Sequence, residues 1–150
     1  MRLSDLLTEE RITVELTPND KEGIIQELLD LVMKSRLIVD RALALEAILS
    51  REKLMSTGLE RGVAIPHAKT AVAQDLALAL GISREGLDFE SADGKPSHFF
   101  FLLLAPESAA GPNVQVLAQI ARLTSDAMFC DALKHAASPK DALDIIRKAE

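Results

Sequence analysis

The chain has 150 residues, of which 48% are apolar and 27% charged, and this length and mixture suit a single domain spanning residues 1–150. Aromatic residues make up only 3%, with no Trp and no Tyr, and the formal net charge is −6. These values exclude nucleic acid as the main partner, because phosphate backbones are bound by clustered Lys and Arg, and bases stack on aromatic rings.

The sequence contains no stretch typical of a secretion signal or a membrane span. The acidic N-terminus lacks a long apolar segment, and the longest apolar run, residues 99–105, is far too short to cross a bilayer. We therefore expect a cytoplasmic protein with no direct membrane insertion. The single cysteine, Cys130, cannot form an internal disulfide, and we expect it to be a buried structural thiol.

The first third of the chain predicts one strand followed by two helices. Residues 11–16 alternate between apolar and polar side chains, which favours a strand. The T-P-N-D segment is expected to begin a helix, with Thr17 as its cap and Asp20 in its first turn. Asp40 is expected to cap a second helix that ends near Leu54. The apolar side of this second helix is expected to consist of Leu43, Ala47 and Leu54, with Leu45, Ile48 and Leu49 beside it.

The rest of the chain predicts strands first and helices afterwards. Apolar runs predict three strands, at residues 63–66, 76–83 and 98–105. Cap and turn residues predict three helices, at residues 111 to about 125, at 127–136, and from Ser138 onward. The two longer strands lack alternation, as is typical of strands covered on both faces. The expected fold is α/β, with a mixed, mainly buried β-sheet sandwiched between helices.

His67 follows a proline at the end of the first of these strands. No metal-binding H-E-x-x-H, nucleophile-elbow G-x-S-x-G or phosphate-loop motif is present, so the sequence predicts neither a metal nor a cofactor. A lone histidine after a proline is often an ordinary loop residue. The chemistry open to a single imidazole is proton transfer or nucleophilic attack, including acceptance of a phosphoryl group. For such a group, Ser56 and Thr57 offer hydroxyls, and Arg51 offers a guanidinium suited to phosphate oxygens.

The run R-E-K-L-M-S-T-G-L-E-R-G-V-A-I-P-H-A-K, residues 51–69, resembles the signature of a known family. This is the enzyme IIA type-2 family of the bacterial phosphoenolpyruvate-dependent phosphotransferase system (PTS). It includes the fructose and mannitol IIA domains and the nitrogen-regulatory IIA protein. The resemblance extends to the helix before Arg51, to the segment F-L-L-L-A-P-E and to the Leu/Ala-rich helix that follows it.

The resemblance implies that the chain is a phosphoryl carrier. His67 matches the family histidine that accepts a phosphoryl group from a phosphorylated histidine carrier protein, and Arg51 matches the arginine near that ring. The group would then pass to a IIB-type protein, or its presence would signal to a regulated transporter or kinase. We expect the nitrogen-regulatory type rather than sugar transport, because the sequence shows no transmembrane part and no fused second domain.

The sequence departs from the family at its second active-site histidine, which follows the A-P-E segment. The corresponding residue is Asn113, whose amide can donate a hydrogen bond but carries neither a transferable proton nor a positive charge. The first turn of the helix near Pro112 adds free backbone N–H groups and a dipole that suit an anion. The alternative interpretation is that Asn113 is an ordinary first-turn residue.

Neither of the other histidines is expected to replace the missing one. His98 begins the strand 98–105, so it is expected at the end of the sheet away from the site. His135 is expected to be solvated, near the C-terminus of a surface helix.

Two other functions stay open. One is a regulatory binding module that kept the fold but lost efficient phosphotransfer, which the missing second histidine motivates. The other is an unrelated α/β protein with a chance motif, which a structure lacking Arg51 near His67 would favour. A partner surface is expected around His67, with Met55, Leu59 and Val63 as its candidate apolar residues.

Overall fold

Two long apolar strands lie side by side, antiparallel, at the centre of the sheet. The computed structural model describes residues 2–150. Its strands are β1 (Ile12–Thr13), β2 (Val63–Ala64), β3 (His67–Lys69), β4 (Ala77–Leu87) and β5 (Ser97–Ala105). Their order is β1-β4-β5-β2, with β3 also paired to β5, and all pairs except β4 with β5 are parallel. The predicted mixed sheet is therefore confirmed.

Helices cover both faces of this sheet. They are α1 (Leu3–Leu6), α2 (Lys21–Met33), α3 (Arg41–Leu54), α4 (Ala110–Thr124), α5 (Ala127–Lys134) and α6 (Pro139–Ala149). One face, here called the α2 face, is covered by α2 and α3; the other, the α4 face, is covered by α1, α4, α5 and α6. The predicted sandwich of helices around a buried sheet is confirmed.

The side chains of β5 show why the central strands lack alternation. Phe99, Phe101 and Leu103 belong to the core of the α4 face, and Phe100, Leu102 and Leu104 to that of the α2 face. None of these six side chains is more than 2% exposed. A strand with two covered faces needs apolar residues at consecutive positions.

The start of α2 differs from the prediction. Asp20, not Thr17, is the N-cap, since its Oδ1 accepts a hydrogen bond from the Gly23 N–H at 2.8 Å. The Thr17 hydroxyl instead donates to Glu27 Oε1 at 3.1 Å. Asp20 and Thr17 are both good capping residues, and this tertiary bond to α2 decides between them.

The strand predicted at residues 11–16 shortens to Ile12–Thr13. A 3₁₀ turn at Glu9–Arg11 precedes it. After it, Thr13 Oγ1 accepts a hydrogen bond from the Glu15 N–H at 3.3 Å. Such a local side-chain bond competes with a strand ladder, and the segment bonds β4 again only through the Leu16 N–H and the Ile82 carbonyl, at 3.2 Å.

Helix α3 has the predicted ends but a different apolar side. Asp40 caps it and it ends at Leu54. Its buried apolar residues are Ala44 and Ile48, whereas Leu43 is 50% and Leu54 is 82% exposed. The predicted stripe through Leu43 and Leu54 is therefore wrong. In a helix rich in Leu and Ala several stripes fit a period of 3.6, and packing selects the one with a small residue next to the sheet.

The three C-terminal helices lie close to their predicted bounds. Helix α4 begins at Ala110, one residue before the predicted start. Helix α6 is capped by Ser138, whose Oγ accepts a hydrogen bond from the Asp141 N–H at 3.1 Å. Within residues 2–150, no helix is both long enough and apolar enough to span a membrane.

Cys130 is partly buried, not fully buried as predicted. It packs against the core of the α4 face, and its Sγ lies 3.2 Å from the Thr124 carbonyl oxygen. Burial raises the pKa of the Cys130 thiol, and the nearby Asp126 carboxylate raises it further. The thiol therefore holds its proton to a higher pH than an ordinary cysteine does.

We expect Cys130 to react slowly with iodoacetamide at neutral pH. The thiolate is the reacting species, and a raised pKa lowers its fraction at every pH below that value. Alkylation followed by mass spectrometry should accelerate toward alkaline pH, with a midpoint above that of the same chain unfolded in urea. Equal rates and equal midpoints for folded and unfolded chains would contradict the expectation.

Candidate functional site

A break between β2 and β3 places His67 at the start of a short strand. Ile65 and Pro66 lie in this break, and the two strands pair separately with β5. Pro66 has no N–H for a ladder, but its carbonyl accepts a hydrogen bond from the Leu103 N–H at 3.0 Å. His67 itself is in register with Leu103. The strand predicted at residues 63–66 is thus confirmed only for Val63–Ala64, and His67 begins a second strand that was not predicted.

The His67 ring is half-buried and has a defined hydrogen bond. Its Nδ1 lies 2.6 Å from the carbonyl oxygen of Ile65. A carbonyl oxygen only accepts, so Nδ1 carries the proton of the neutral ring and Nε2 carries the lone pair. Within residues 2–150, Nε2 has no hydrogen-bond partner. The ring atom with a free lone pair is therefore Nε2.

Asn113 and His67 lie on the same face and at the same end of the sheet. Paired residues project to the same side, and the partner of His67, Leu103, belongs to the core of the α4 face. Asn113 is in the first turn of α4, which packs on that face through Ile120. Strand β5 ends at Ala105, and α4 begins five residues later. The fold therefore brings the start of α4 to the region of His67.

The Asn113 side chain is buried, and its carbonyl oxygen has no hydrogen-bond partner among the described residues. The residue is 8% exposed, and within residues 2–150 its Oδ1 has no hydrogen-bond partner. A buried carbonyl in this condition destabilises a fold by about 1–3 kcal/mol. The Asn113 N–H bonds the Ala109 carbonyl at 3.0 Å, so the N–H groups of Ala110 and Gly111 are those without an intrahelical acceptor. A Cβ added to Gly111 would meet nothing within 4 Å, so the surface at this residue is open.

Arg51 lies in the last turn of α3, on the opposite face of the sheet. Helix α3 packs against β3, the strand of His67. The Arg51 Nη1 donates to the Met55 carbonyl oxygen at 2.9 Å, which closes the C-terminus of the helix. Within residues 2–150, no hydrogen bond joins Arg51 to His67. Its contact with a phosphorylated ring stays a prediction.

The hydroxyl groups of the S-T-G segment are already used by the fold. The Ser56 hydroxyl donates to the Phe89 carbonyl oxygen at 2.7 Å. The Thr57 hydroxyl donates to the buried carboxylate of Glu52. The fold already uses both hydroxyls as donors, so a contact of either with a phosphoryl group stays a prediction. Sequence alone could not show this, because both acceptors are set by tertiary contacts.

Gly58 completes that segment because the neighbouring chain passes very close to it. A Cβ at this position would lie 2.8 Å from the Phe89 carbonyl oxygen and 2.9 Å from both Cα and Oγ of Ser91. Two of these atoms belong to the backbone, which cannot move aside as a flexible side chain does. Glycine is needed here for space.

We expect Gly58→Ala to lower the free energy of unfolding by about 1–3 kcal/mol, the usual range for overpacking a tight site. Gly111→Ala is the matched control, since the same methyl group meets open space in a helix and should stabilise by up to about 1 kcal/mol. Urea denaturation of both variants measures whether each change lowers or raises the free energy of unfolding. A Gly58→Ala protein as stable as the parent would contradict the expectation, because it would show that residues 89–91 can move away from the added methyl group at no measurable cost.

The other two histidines lie away from His67. His98 precedes Leu103 by five residues, which is roughly 16 Å along a strand, and its Nδ1 lies 2.9 Å from the Ser83 carbonyl oxygen. His135 is the exposed C-cap of α5. Both placements confirm the predictions. Within residues 2–150, no three His, Cys, Asp or Glu side chains could together hold a metal ion.

Two of the three candidate residues of the expected partner surface are exposed. Met55 is 72% and Leu59 is 42% exposed, whereas Val63 is 2% exposed because it lies in β2 beside β5. Two exposed residues missed by the sequence analysis, Leu54 and Val114, are 82% and 62% exposed. Leu54 is the last residue of α3, which carries Arg51, and Val114 follows Asn113 in α4. These exposed apolar residues therefore lie on the same helices as two of the candidate site residues.

Known proteins similar to this chain include both sugar-transport and regulatory proteins. Residues 5–149 match the family described as phosphoenolpyruvate-dependent sugar phosphotransferase system, EIIA 2. The chain is 36% identical over 148 residues to the PTS system fructose-specific EIIABC component of Bacillus subtilis, covering 99% of this chain and 23% of that protein. It is 39% identical over 126 residues to a nitrogen regulatory protein of Bradyrhizobium diazoefficiens, covering 84% of this chain and 82% of that protein.

The fold is shared with a solved structure of a related protein. The crystal structure of nitrogen regulatory protein IIA-Ntr from Neisseria meningitidis superposes with a TM-score of 0.89 at 30% sequence identity, covering 96% of this chain and 98% of that one. The match over nearly the whole chain agrees with the resemblance carried by residues 51–69. The chain therefore belongs to the EIIA 2 family of the phosphoenolpyruvate-dependent sugar phosphotransferase system.

Proposed function

We propose that this protein is a phosphoryl carrier in which Nε2 of His67 accepts the phosphoryl group from a phosphorylated histidine carrier protein. The observation that carries the proposal is the 2.6 Å hydrogen bond from Nδ1 to the Ile65 carbonyl oxygen. It leaves the lone pair on Nε2 of a half-buried ring. Membership of the EIIA 2 family supports this role.

In the proposed reaction, the Nε2 lone pair attacks the phosphorus atom of the donor's phosphohistidine. The donor's P–N bond breaks and its electron pair returns to the donor ring, while a new P–N bond forms at His67. The proton on Nδ1 stays in place, and the Ile65 carbonyl stabilises the positive charge that the substituted ring acquires. The short strand β3 holds the ring in position for in-line attack.

The start of α4 is the proposed site for the phosphoryl oxygens. The N–H groups of Ala110 and Gly111 and the helix dipole favour an anion there. The Asn113 amide adds a neutral donor from the same turn. Arg51 would have to exchange its bond with the Met55 carbonyl for one with a phosphoryl oxygen.

We further propose a nitrogen-regulatory role, with a regulated transporter or kinase as the downstream partner. The alternative downstream partner is a IIB-type protein of sugar transport. The relatives divide between fructose-specific and nitrogen regulatory proteins, so each role has support. Rapid loss of the phosphoryl group to a fructose IIB protein would favour transport. Exchange with a carrier protein also fits the predicted cytoplasmic location.

A phosphotransfer-impaired binding module is the second candidate. The observation that favours it is Asn113, which stands where the family has its second histidine and cannot carry a proton. Such a module would use the same surface near His67 to bind its partner without accepting the phosphoryl group.

Intact mass spectrometry separates the two candidates. The purified protein is mixed with phosphoenolpyruvate, enzyme I and the histidine carrier protein, with a matched mixture lacking enzyme I. Addition of one phosphoryl group only in the complete mixture supports the carrier. A folded protein that gains no mass with several histidine carrier proteins overturns the carrier and favours the module.

A further inference from the structure

Glu52 has a buried carboxylate that contacts the S-T-G segment, residues 56–58. It follows Arg51, the residue predicted to bind the phosphoryl group. The side chain of Glu52 is 5% exposed, and one of its oxygens lies 2.7 Å from Nζ of Lys21, the first residue of α2. A charge is buried at this depth only when it is paired and hydrogen-bonded. Replacing such a pair by apolar side chains often leaves stability unchanged or improves it. The Lys21–Glu52 pair therefore calls for a role besides stability.

Glu52 holds Thr57 at two groups. The Thr57 N–H lies 3.2 and 3.1 Å from the two carboxylate oxygens, and the Thr57 hydroxyl donates to the same carboxylate. On its other side, the Thr57 carbonyl accepts a hydrogen bond from the Ile65 N–H at 3.0 Å. The backbone of Thr57 is thus fixed between a buried ion pair and the segment that precedes His67.

Ile65 lies in the break between β2 and β3, where its own strand pairing has ended. Its N–H is bonded to Thr57, and its carbonyl accepts from Nδ1 of His67. The direction of that carbonyl decides which ring nitrogen keeps the proton. An unbroken series of contacts therefore runs from Lys21 and Glu52 through Thr57 and Ile65 to His67.

We propose that Lys21, Glu52 and Thr57 are positioning residues that set the orientation and the tautomer of the His67 ring through Ile65. The proposal rests on the proposed function in one respect, namely that Nε2 is the reacting atom. Lys21 is itself held in place, because its Nζ lies 3.4 Å from Ser56 Oγ and 4.9 Å from the centre of the Phe89 ring. The ion pair is thereby a fixed anchor for the segment before the ring.

Thr57→Val tests the proposal, because it keeps the shape of the side chain and removes the hydroxyl that binds Glu52. The ¹⁵N shifts of the two His67 ring nitrogens report which of them carries the proton. We expect the fraction of the Nδ1–H form to fall, and the rate of phosphoryl acceptance to fall roughly tenfold or more, since small misplacements of reacting groups have large effects. Thr57→Ser retains the hydroxyl and should restore both values.

Thr124→Val is the matched control. The Thr124 hydroxyl is also buried and donates to the Ile120 carbonyl oxygen at 2.7 Å, but it lies within α4 and has no bond toward His67. Its substitution should leave the His67 ring signals unchanged. Unchanged ring signals in Thr57→Val, or an equal shift in Thr124→Val, would overturn the positioning role.

Glu52→Gln covers the case in which Thr57→Val does not fold, because it keeps the shape, removes the charge and replaces one acceptor oxygen by an amide donor. The same shift in ring signals is expected, and its absence would again overturn the proposal. The NMR measurement needs no phosphoryl donor, so the two proposals fail separately. A parent protein that accepts no phosphoryl group but shows the tautomer shift loses the carrier function and keeps the positioning network.

Discussion

Phosphoryl addition should be abolished in His67→Ala and retained in His135→Ala and His98→Ala. Only His67 combines a half-buried ring with a bonded Nδ1 and an unpartnered Nε2 at the end of the sheet where α4 begins. Its imidazole forms the covalent bond, so no neighbouring group can substitute for it. The measurement is the intact mass after incubation with phosphoenolpyruvate, enzyme I and the histidine carrier protein.

His135→Ala is the stricter control of the two, because that side chain is exposed and its loss should leave the fold unchanged. In the phosphorylated parent, the ³¹P and ¹⁵N signals should identify the Nε2 isomer of phosphohistidine. Persistent phosphoryl addition to a folded His67→Ala protein would remove His67 from the mechanism. The Nδ1 isomer would show that the bond to Ile65 breaks during the reaction.

The parts of the fold that followed from sequence are those governed by long apolar periodicity. Strand β5 and residues 77–83 of β4 are covered on both faces, and such strands are recognised by a continuous apolar run. Helix caps at Asp40 and Ser138 could also be predicted, because a short polar side chain before an apolar-periodic segment has few other uses. At Thr17 two capping residues lie close together, and only a contact with α2 decides between them.

The site was predicted less completely, because its supporting bonds join distant parts of the chain. The resemblance of residues 51–69 pointed to His67 and Arg51, but nothing in the sequence pointed to the bonds of Ser56 and Thr57 with Phe89 and Glu52. The role of Glu52 depends on Lys21, which is 31 positions earlier and belongs to another helix. A glutamate beside a lysine on a helix looks solvent-exposed in a sequence, and only packing reveals a buried carboxylate.

Asn113 is the position where stability and transfer rate should respond with opposite signs. Asn113→Leu keeps a similar shape and removes the unpartnered Oδ1, which should raise the free energy of unfolding by about 1–3 kcal/mol. The same change removes the amide donor. If that donor contacts the phosphoryl group, acceptance should slow by roughly ten- to a hundredfold, the value of a hydrogen bond to a charged group. Urea denaturation and the initial rate of mass gain measure the two effects.

Asn113→His should accelerate phosphoryl acceptance by roughly a hundredfold, the lower range for a positioned acid or base. The introduced imidazole can carry the positive charge that an amide cannot, and it would carry it only below its own pKa. The ratio of the variant's rate to the parent's rate should therefore rise as the pH falls. A ratio near one at every pH, together with an unchanged rate in Asn113→Leu, would mean that position 113 takes no part in transfer. Asn113 would then be the ordinary first-turn residue of the alternative interpretation, and its unpartnered Oδ1 would need another explanation.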